Sequence, residues 1–352
     1  MFYRLYKTHS LFVSYFQTLN DYFNHYLPVQ RCASIHTIKA YRSAIHKLLE
    51  YILKKKNIKL NEVGFEDLDY ETVDSYLENI VKEQGLSQKT RNHRLNSILS
   101  FLSYAADMNP EYMIYHSNIF KIPKQKVESK AVEYMSEKVV HTLINQADTK
   151  TKKGIRNQFI MILMYDTGAR TQEIINLKVC DIKLGKTPTV MLFGKGNKTR
   201  VVPIMEYTVS HYLNYLQIYH KDENEYSKKP LFYTKIKNII QAMSDDNIRK
   251  FLNQYADSAR KICPEVLEKI HPHLFRHSRA MHLYQHGMDL TLISQWLGHS
   301  NLETTLIYAH ADTDQKRRAI EKSMGKNIIG EIDIPKYIID DEDILKKLYG
   351  LI

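Results

Sequence analysis

Cysteine is scarce in this 352-residue chain: Cys32, Cys180 and Cys263 are odd in number, far apart and without CxxC spacing. That argues against a disulfide framework and against a cysteine-ligated zinc site. Glycine and proline are few as well, 12 and 9 residues against 25 tyrosines, so collagen-like and linker-type compositions are excluded. Long apolar runs are missing. No stretch reaches the roughly 18 uncharged apolar residues that a membrane-spanning helix needs. Arg4, Lys7 and His9 interrupt the apolar residues that a signal peptide would keep continuous. A reducing, cytoplasmic compartment is the expectation.

What is abundant is positive charge. Fifty Lys and Arg stand against 39 Asp and Glu, a formal net charge of +11. With 43% hydrophobic and 25% charged residues, the chain can bury a core and is not disordered in the main. Its length points to about two domains of ~100 to 200 residues. The positive surplus favours a polyanionic partner, nucleic acid or an acidic membrane surface, and charge alone does not choose.

The chain reads as two blocks and a tail. From about Leu11 to Ala106 apolar residues recur at three and four. Ile38, Tyr41, Ile45, Leu48, Leu49 and Ile52 make one helix face behind a capping Ser34. A second helix begins at Ser87 and turns Leu95, Ile98, Leu99 and Leu102 inward. Lys121 to Lys130 is basic with little to bury, and reads as an interdomain linker able to follow a phosphate backbone. Helices resume behind Ser136, and the apolar stretch Phe159 to Tyr165 marks a buried helix ending at Gly168. Alternation at Thr189–Phe193 and Arg200–Ile204 around Gly194-Lys-Gly-Asn-Lys198 predicts a hairpin, with helices from there to residue 310.

Polar chemistry concentrates late in the chain, in His271-Pro-His-Leu-Phe-Arg-His277, Leu297-Gly-His-Ser300 and Tyr308. Cleaving a phosphodiester needs a nucleophile, donors for the non-bridging oxygens and a proton for the leaving oxygen. Arg, His and Tyr can fill these roles without a metal. Ser300 and Glu303 have capping-box spacing, so a helix should start directly after His299 and present Tyr308 about two turns in.

These residues resemble the tyrosine recombinases of the phage integrase and Xer type. The resemblance runs through Asp166-Thr-Gly-Ala-Arg-Thr-Gln-Glu-Ile-Ile-Asn-Leu177, the Gly194–Lys198 turn, Pro272-His-Leu-Phe-Arg-His277, Leu297-Gly-His-Ser-Asn301 and Thr304-Thr-Leu-Ile-Tyr308, in the family's order. Phe275 and Ala169 depart from the commoner apolar residues without touching the polar set. The resemblance implies that Arg170, Lys195, His273, Arg276 and His299 surround a DNA phosphate and that Tyr308 attacks it. His273 is the expected acceptor of the tyrosine proton, and Lys195 the donor to the departing 5′ oxygen. It further implies a mainly α fold with a small antiparallel β-sheet in the catalytic domain, arranged as a two-domain DNA clamp. The expected parts are a helical DNA-binding domain at 1–120, a linker at 121–132, a catalytic domain at 133–325 and a subunit-contact tail at 326–352. Implied partners are double-stranded DNA carrying specific recombination sites, three further copies of the chain in a tetramer, and accessory DNA-bending or excision factors. No cofactor, metal or membrane is implied. The length and tail lean towards a mobile element, and the location towards the nucleoid.

Each residue also has a plainer reading. Most tyrosines pack, and most arginines in turns are surface residues. The pairs His273/His277 and His282/His286 have zinc-like i,i+4 spacing, but no Glu or third ligand accompanies them. Thr37, Lys39, Tyr41, Arg42, Lys89, Arg91 and Arg94 are the DNA-contact candidates of the first block, and solvated helix faces are their alternative. A type IB topoisomerase-like relaxing enzyme, and a DNA-binding protein without catalysis, remain as other functions. The helical first block and the tail favour recombination over relaxation, and the complete six-residue set favours catalysis.

Overall fold

The structure is a computed structural model, described for residues 15–127, 132–194, 198–236, 239–299, 301–311, 317 and 342–350. The chain divides into two compact units, Met1–Ser129 and Lys130–Ile352.

The first unit is helical. Residues 15–21 run into a wider π-helical stretch, Tyr22–Gln30, followed by α1 (Ile35–Lys56), α2 (Tyr70–Lys82), α3 (Gln88–Met108) and α4 (Met113–Phe120). Ser34, Asp69 and Ser87 cap the three long helices, each side chain accepting the N–H three residues on. Such caps are worth about 1 kcal/mol each because they satisfy backbone donors that the helix leaves open. Ile45, Leu48 and Ile52 of α1 meet Leu95, Ile98 and Leu102 of α3 in one core. Burying each such side chain contributes roughly 1.5–3 kcal/mol. The start of the basic segment after α4 is docked on this unit. Ile122 is buried, Arg91 donates to the Pro123 carbonyl at 2.7 Å, and Asn92 exchanges two hydrogen bonds with Gln125. The reading of little to bury is therefore corrected at Ile122.

The second unit surrounds α6 (Lys152–Thr167), whose Phe159, Ile160, Met161, Leu163 and Met164 are fully buried. It packs among α5 (Glu137–Ile144), α7 (Thr171–Ile175), α8 (Glu206–Tyr219), α9 (Asp245–Arg260) and α10 (Pro272–Gln285). A three-stranded antiparallel sheet has the order β1 (Ile182–Lys183), β2 (Thr189–Phe193), β3 (Thr199–Pro203), with Phe193 opposite Thr199 and Leu192 opposite Arg200. A second hairpin, β4 (Tyr233–Ile236) and β5 (Ile239–Ala242), lies where the sequence reads as helix. Its strands have four residues each and β5 is exposed throughout, so no inward-outward alternation announces it. The last described elements are α11 (Leu290–Leu297), α12 (Glu303–Ala311) and α13 (Glu342–Leu348). Among the described residues no helix is long and apolar enough to cross a membrane.

Candidate active site

Three helix ends build the site. Gly168 closes α6 in the left-handed conformation at φ 59°, where glycine carries no Cβ penalty, and the chain turns at once into Arg170. Asp166, just before the turn, is fully buried and anchors it, accepting from Met205 N at 2.9 Å and Thr208 Oγ1 at 2.7 Å. Arg170 is the N-cap of α7, and Glu173 reaches back to it. One carboxylate oxygen accepts the Arg170 N–H at 2.8 Å, and the other accepts from Nη1 at 2.9 Å. Arg200 of β3 grips the same carboxylate with both ends of its fork, each at 2.8 Å, while its Nε donates to the Trp296 carbonyl at 2.9 Å. Burial opposes ionisation of Glu173. The hydrogen bonds and charge of Arg200, followed by those of Arg170, nevertheless hold its carboxyl below the usual range.

Arg276 lies on α10 and is nearly buried, donating to the carbonyls of Gly168 at 2.8 Å and Leu297 at 2.7 Å. It thereby ties the ends of α6 and α11 together. Burial, then the charges of Arg170 and Arg200, lower its pKa to about 9, which still leaves it charged at neutral pH. His299 follows Gly298, the left-handed cap of α11, and its Nδ1 meets Thr305 Oγ1 at 2.8 Å. Burial, with Arg276, Arg170 and Arg200 facing the ring, lowers His299 to about 4, so the imidazole is neutral at pH 7.

Tyr308 sits on α12 with 1% of its surface exposed, packed with Ala280, Met281, Ile293 and Leu297. Its hydroxyl lies 3.0 Å from His277 Nδ1. Burial pushes the phenol up to about 12 against the opposing pull of Arg276, and burial with the charges of His273 and Arg276 takes His277 down to about 4. The two form a neutral pair. His273, the expected acceptor, lies one turn earlier on α10, is exposed, and faces the His271 ring at 6.3 Å. Among the described hydrogen bonds none joins it to Tyr308. The α12 helix begins at Glu303, with Asn301 accepting its N–H at 3.0 Å; the proposed cap Ser300 lies outside the described residues. This corrects the expected start directly after His299, and places Tyr308 about one and a half turns into the helix.

The match to known proteins covers both units. The sequence profile of the phage integrase family spans residues 133–315, and that of the phage integrase N-terminal SAM-like domain spans residues 20–109. The chain belongs to the phage integrase family. It is a tyrosine recombinase, and relatives of that class lie nearby. The tyrosine recombinase XerC of Bacillus pumilus is 28% identical over 313 residues, covering 86% of this chain and 94% of the relative. The tyrosine recombinase XerD of Staphylococcus epidermidis is 27% identical over 300 residues, covering 85% and 96%. In fold, the chain matches the XerH site-specific recombinase bound to palindromic difH substrate in a post-cleavage complex. The TM-score is 0.62 at 24% identity, over 83% of this chain and 81% of that one. The Tn1549 transposon integrase in complex with transposon right end DNA matches at a TM-score of 0.60 and 20% identity, over 84% and 96%.

In this family member the structure brings Arg170, Arg276, His299 and Tyr308 into one another's neighbourhood, with His273 on the rim. Lys195 lies outside the described residues. Its flanks close the hairpin, Gly194 N–H donating to the Lys198 carbonyl at 2.8 Å, and Lys198 is exposed. In the first unit Lys39, Arg42 and Lys89 are exposed, with Thr37 and Tyr41 half-buried. The Tyr41 and His93 rings, 6.3 Å apart, set the early turns of α1 and α3 side by side. Arg94 is half-buried and donates to the Tyr76 hydroxyl at 2.9 Å. Arg91 is placed differently from the solvated or DNA-facing residue expected. It is 4% exposed and holds the Pro123 carbonyl, because its position on α3 faces the docked segment. The candidate zinc pairs are otherwise engaged: His277 meets Tyr308, and His282 Nδ1 meets the Tyr165 hydroxyl at 2.8 Å.

Glu173, Arg200 and His277 are the site residues that sequence reading passes over as actors. For Glu173 a signal exists, an acid three residues after an N-cap. Arg200 has a weaker one, the strand alternation that sets it on the same face as buried Val202. For His277 the sequence offers only its place one turn after His273.

Proposed function

We propose that this recombinase cleaves and rejoins DNA at specific sites through a 3′-phosphotyrosyl intermediate on Tyr308. The observation that supports the reading is the meeting of Arg170, Arg276 and His299 around the end of α6, with Tyr308 on the next helix. Two guanidiniums neutralise the charge that builds on the non-bridging oxygens in the transition state. Arg170, the more exposed, offers hydrogen bonds as well as charge, and Arg276, whose Nη1 and Nη2 hold the Gly168 and Leu297 carbonyls, acts chiefly through its charge. His299, neutral at pH 7, adds a hydrogen bond rather than a charge.

The Tyr308 oxygen attacks phosphorus and the bond to the 5′ oxygen breaks. The phenolic proton passes to a histidine of α10, and Lys195 returns a proton to the leaving 5′ hydroxyl. The phosphotyrosyl bond stores the energy of the broken phosphodiester, so rejoining to a new 5′ hydroxyl needs no ATP. Attack requires Tyr308 to leave its buried position beside His277, a conformational step before chemistry. Lys39, Arg42 and Lys89, on the side-by-side starts of α1 and α3, offer the sequence-independent contacts that hold the duplex. Four protomers on two duplexes, exchanging strands through a Holliday junction, complete the reaction. Accessory bending or excision factors are further partners in this reading, as is residence at the nucleoid.

Incubation with nicked duplex in the presence of chelator gives a denaturation-resistant protein–DNA adduct, and Tyr308→Phe gives none. Specific binding to a duplex without any adduct would leave a DNA-binding protein and sink the catalytic reading.

A further inference from the structure

Glu173 is a single carboxylate shared by two guanidiniums. It is 3% exposed; the Arg200 side chain is 12% exposed and that of Arg170 is 34% exposed. Arg170 therefore keeps a face towards solvent, while Arg200 is turned inward by the alternation of β3 and uses its fork and Nε on Glu173 and the Trp296 carbonyl. The backbone leaves room for this. A Cβ on Gly298 would lie 3.0 Å from Arg200 Cδ, and one on Gly194 would lie 3.2 Å from Glu173 Oε1. The inward arginine thus joins the hairpin that bears Lys195, the turn that bears Arg170 and the turn that bears His299.

We propose that Arg200 is a positioning residue whose charge balances Glu173, so that Arg170 keeps its own positive charge for the scissile phosphate. One negative and two positive groups leave the cluster at a net +1. Without Arg200 the carboxylate is matched by Arg170 alone, the net charge facing the phosphate is zero, and the Arg170 fork is drawn onto Glu173. A buried carboxylate is costly unless paired, so it captures whichever guanidinium remains. Arg200 touches no reacting atom and acts through Glu173 and Arg170. The inference rests on the phosphotyrosyl reading above.

The test uses duplexes that the wild-type protein captures covalently from a pool of nicked duplexes of random sequence. Arg200→Met lowers the single-turnover rate of adduct formation roughly 10- to 100-fold, the loss expected when a charge-assisted hydrogen bond is withdrawn from the transition state, with duplex affinity falling far less. The Glu173→Gln/Arg200→Met protein, in which the carboxylate charge is removed as well, recovers most of that rate. Arg200→Lys is intermediate, keeping the charge but not the fork. A merely structural arginine would give a double variant no faster than the single one, and that result overturns the proposal, as does wild-type cleavage by Arg200→Met. Thermal unfolding accompanies each variant. If Arg200→Met does not fold, both the Lys variant and the double variant must still cleave, and failure of both in folded protein overturns it. A wild-type protein that captures no duplex defeats the phosphotyrosyl reading itself, whereas capture with contrary variant rates defeats only the role of Arg200.

Discussion

Tyr308 and His277 make a pair in which neither partner is charged at neutral pH. Burial is the leading cause of both shifts, raising the phenol and lowering the imidazole, and the protonated imidazole is further opposed by His273 and Arg276. His299 is held neutral in the same way, at about 4. The consequence for stability has a definite sign. The folded pKa values lie below the reference of 6.5, so between pH 6.5 and about 4 the unfolded chain binds more protons than the folded one. Stability is then lost as pH falls through that window. Thermal midpoints of the wild type should drop on acidification from pH 6.5, and the His277→Gln/His299→Gln protein should show a flatter decline. An unchanged slope would mean that these rings are not desolvated in solution.

The elements of the site are helix ends, and the most constrained of them is the end of α11. Gly298 has φ 65° and lies against the Arg200 side chain, so Gly298→Ala adds left-handed strain of roughly 1–2 kcal/mol and pushes on the fork. The expected result is a lower unfolding midpoint together with slower adduct formation; a lower midpoint with an unchanged rate would separate this turn from the chemistry. Local features of this kind are what a sequence displays. Ser34, Ser87 and Ser136 cap helices where their spacing says, and Gly168 takes the left-handed position that ends a buried helix. The blocks around Arg170, Arg276, His299 and Tyr308 are legible for the same reason, since each is short and continuous. The Glu173–Arg200 pair is 27 positions apart, and the approach of His277 to Tyr308 spans 31, so neither follows from spacing on one element. The exposed β4–β5 hairpin escapes notice because no packing pattern marks it, and Arg91 reads as a surface cation until the segment it holds is seen.

At the level of the whole molecule, the surplus of +11 belongs to a tyrosine recombinase of two compact units, and the C-terminal residues are where copies are proposed to join. Most of the tail, including Ile328 to Ile334, lies outside the described residues, and α13 carries Glu342 and Asp343 in its first turn with Lys346 and Lys347 in its last. Deleting residues 330–352 should abolish cooperative assembly on duplexes bearing two sites while leaving single-site binding, and unchanged cooperativity in gel-shift titrations would remove the tail from assembly. The claim on which the rest depends is that Tyr308 becomes joined to DNA. Proteolysis of the covalent complex followed by mass spectrometry tests it directly. The prediction is a peptide carrying a 3′-linked nucleotide on Tyr308 and no adduct from Tyr308→Phe; a linkage on any other residue, or an adduct that survives the substitution, would contradict it.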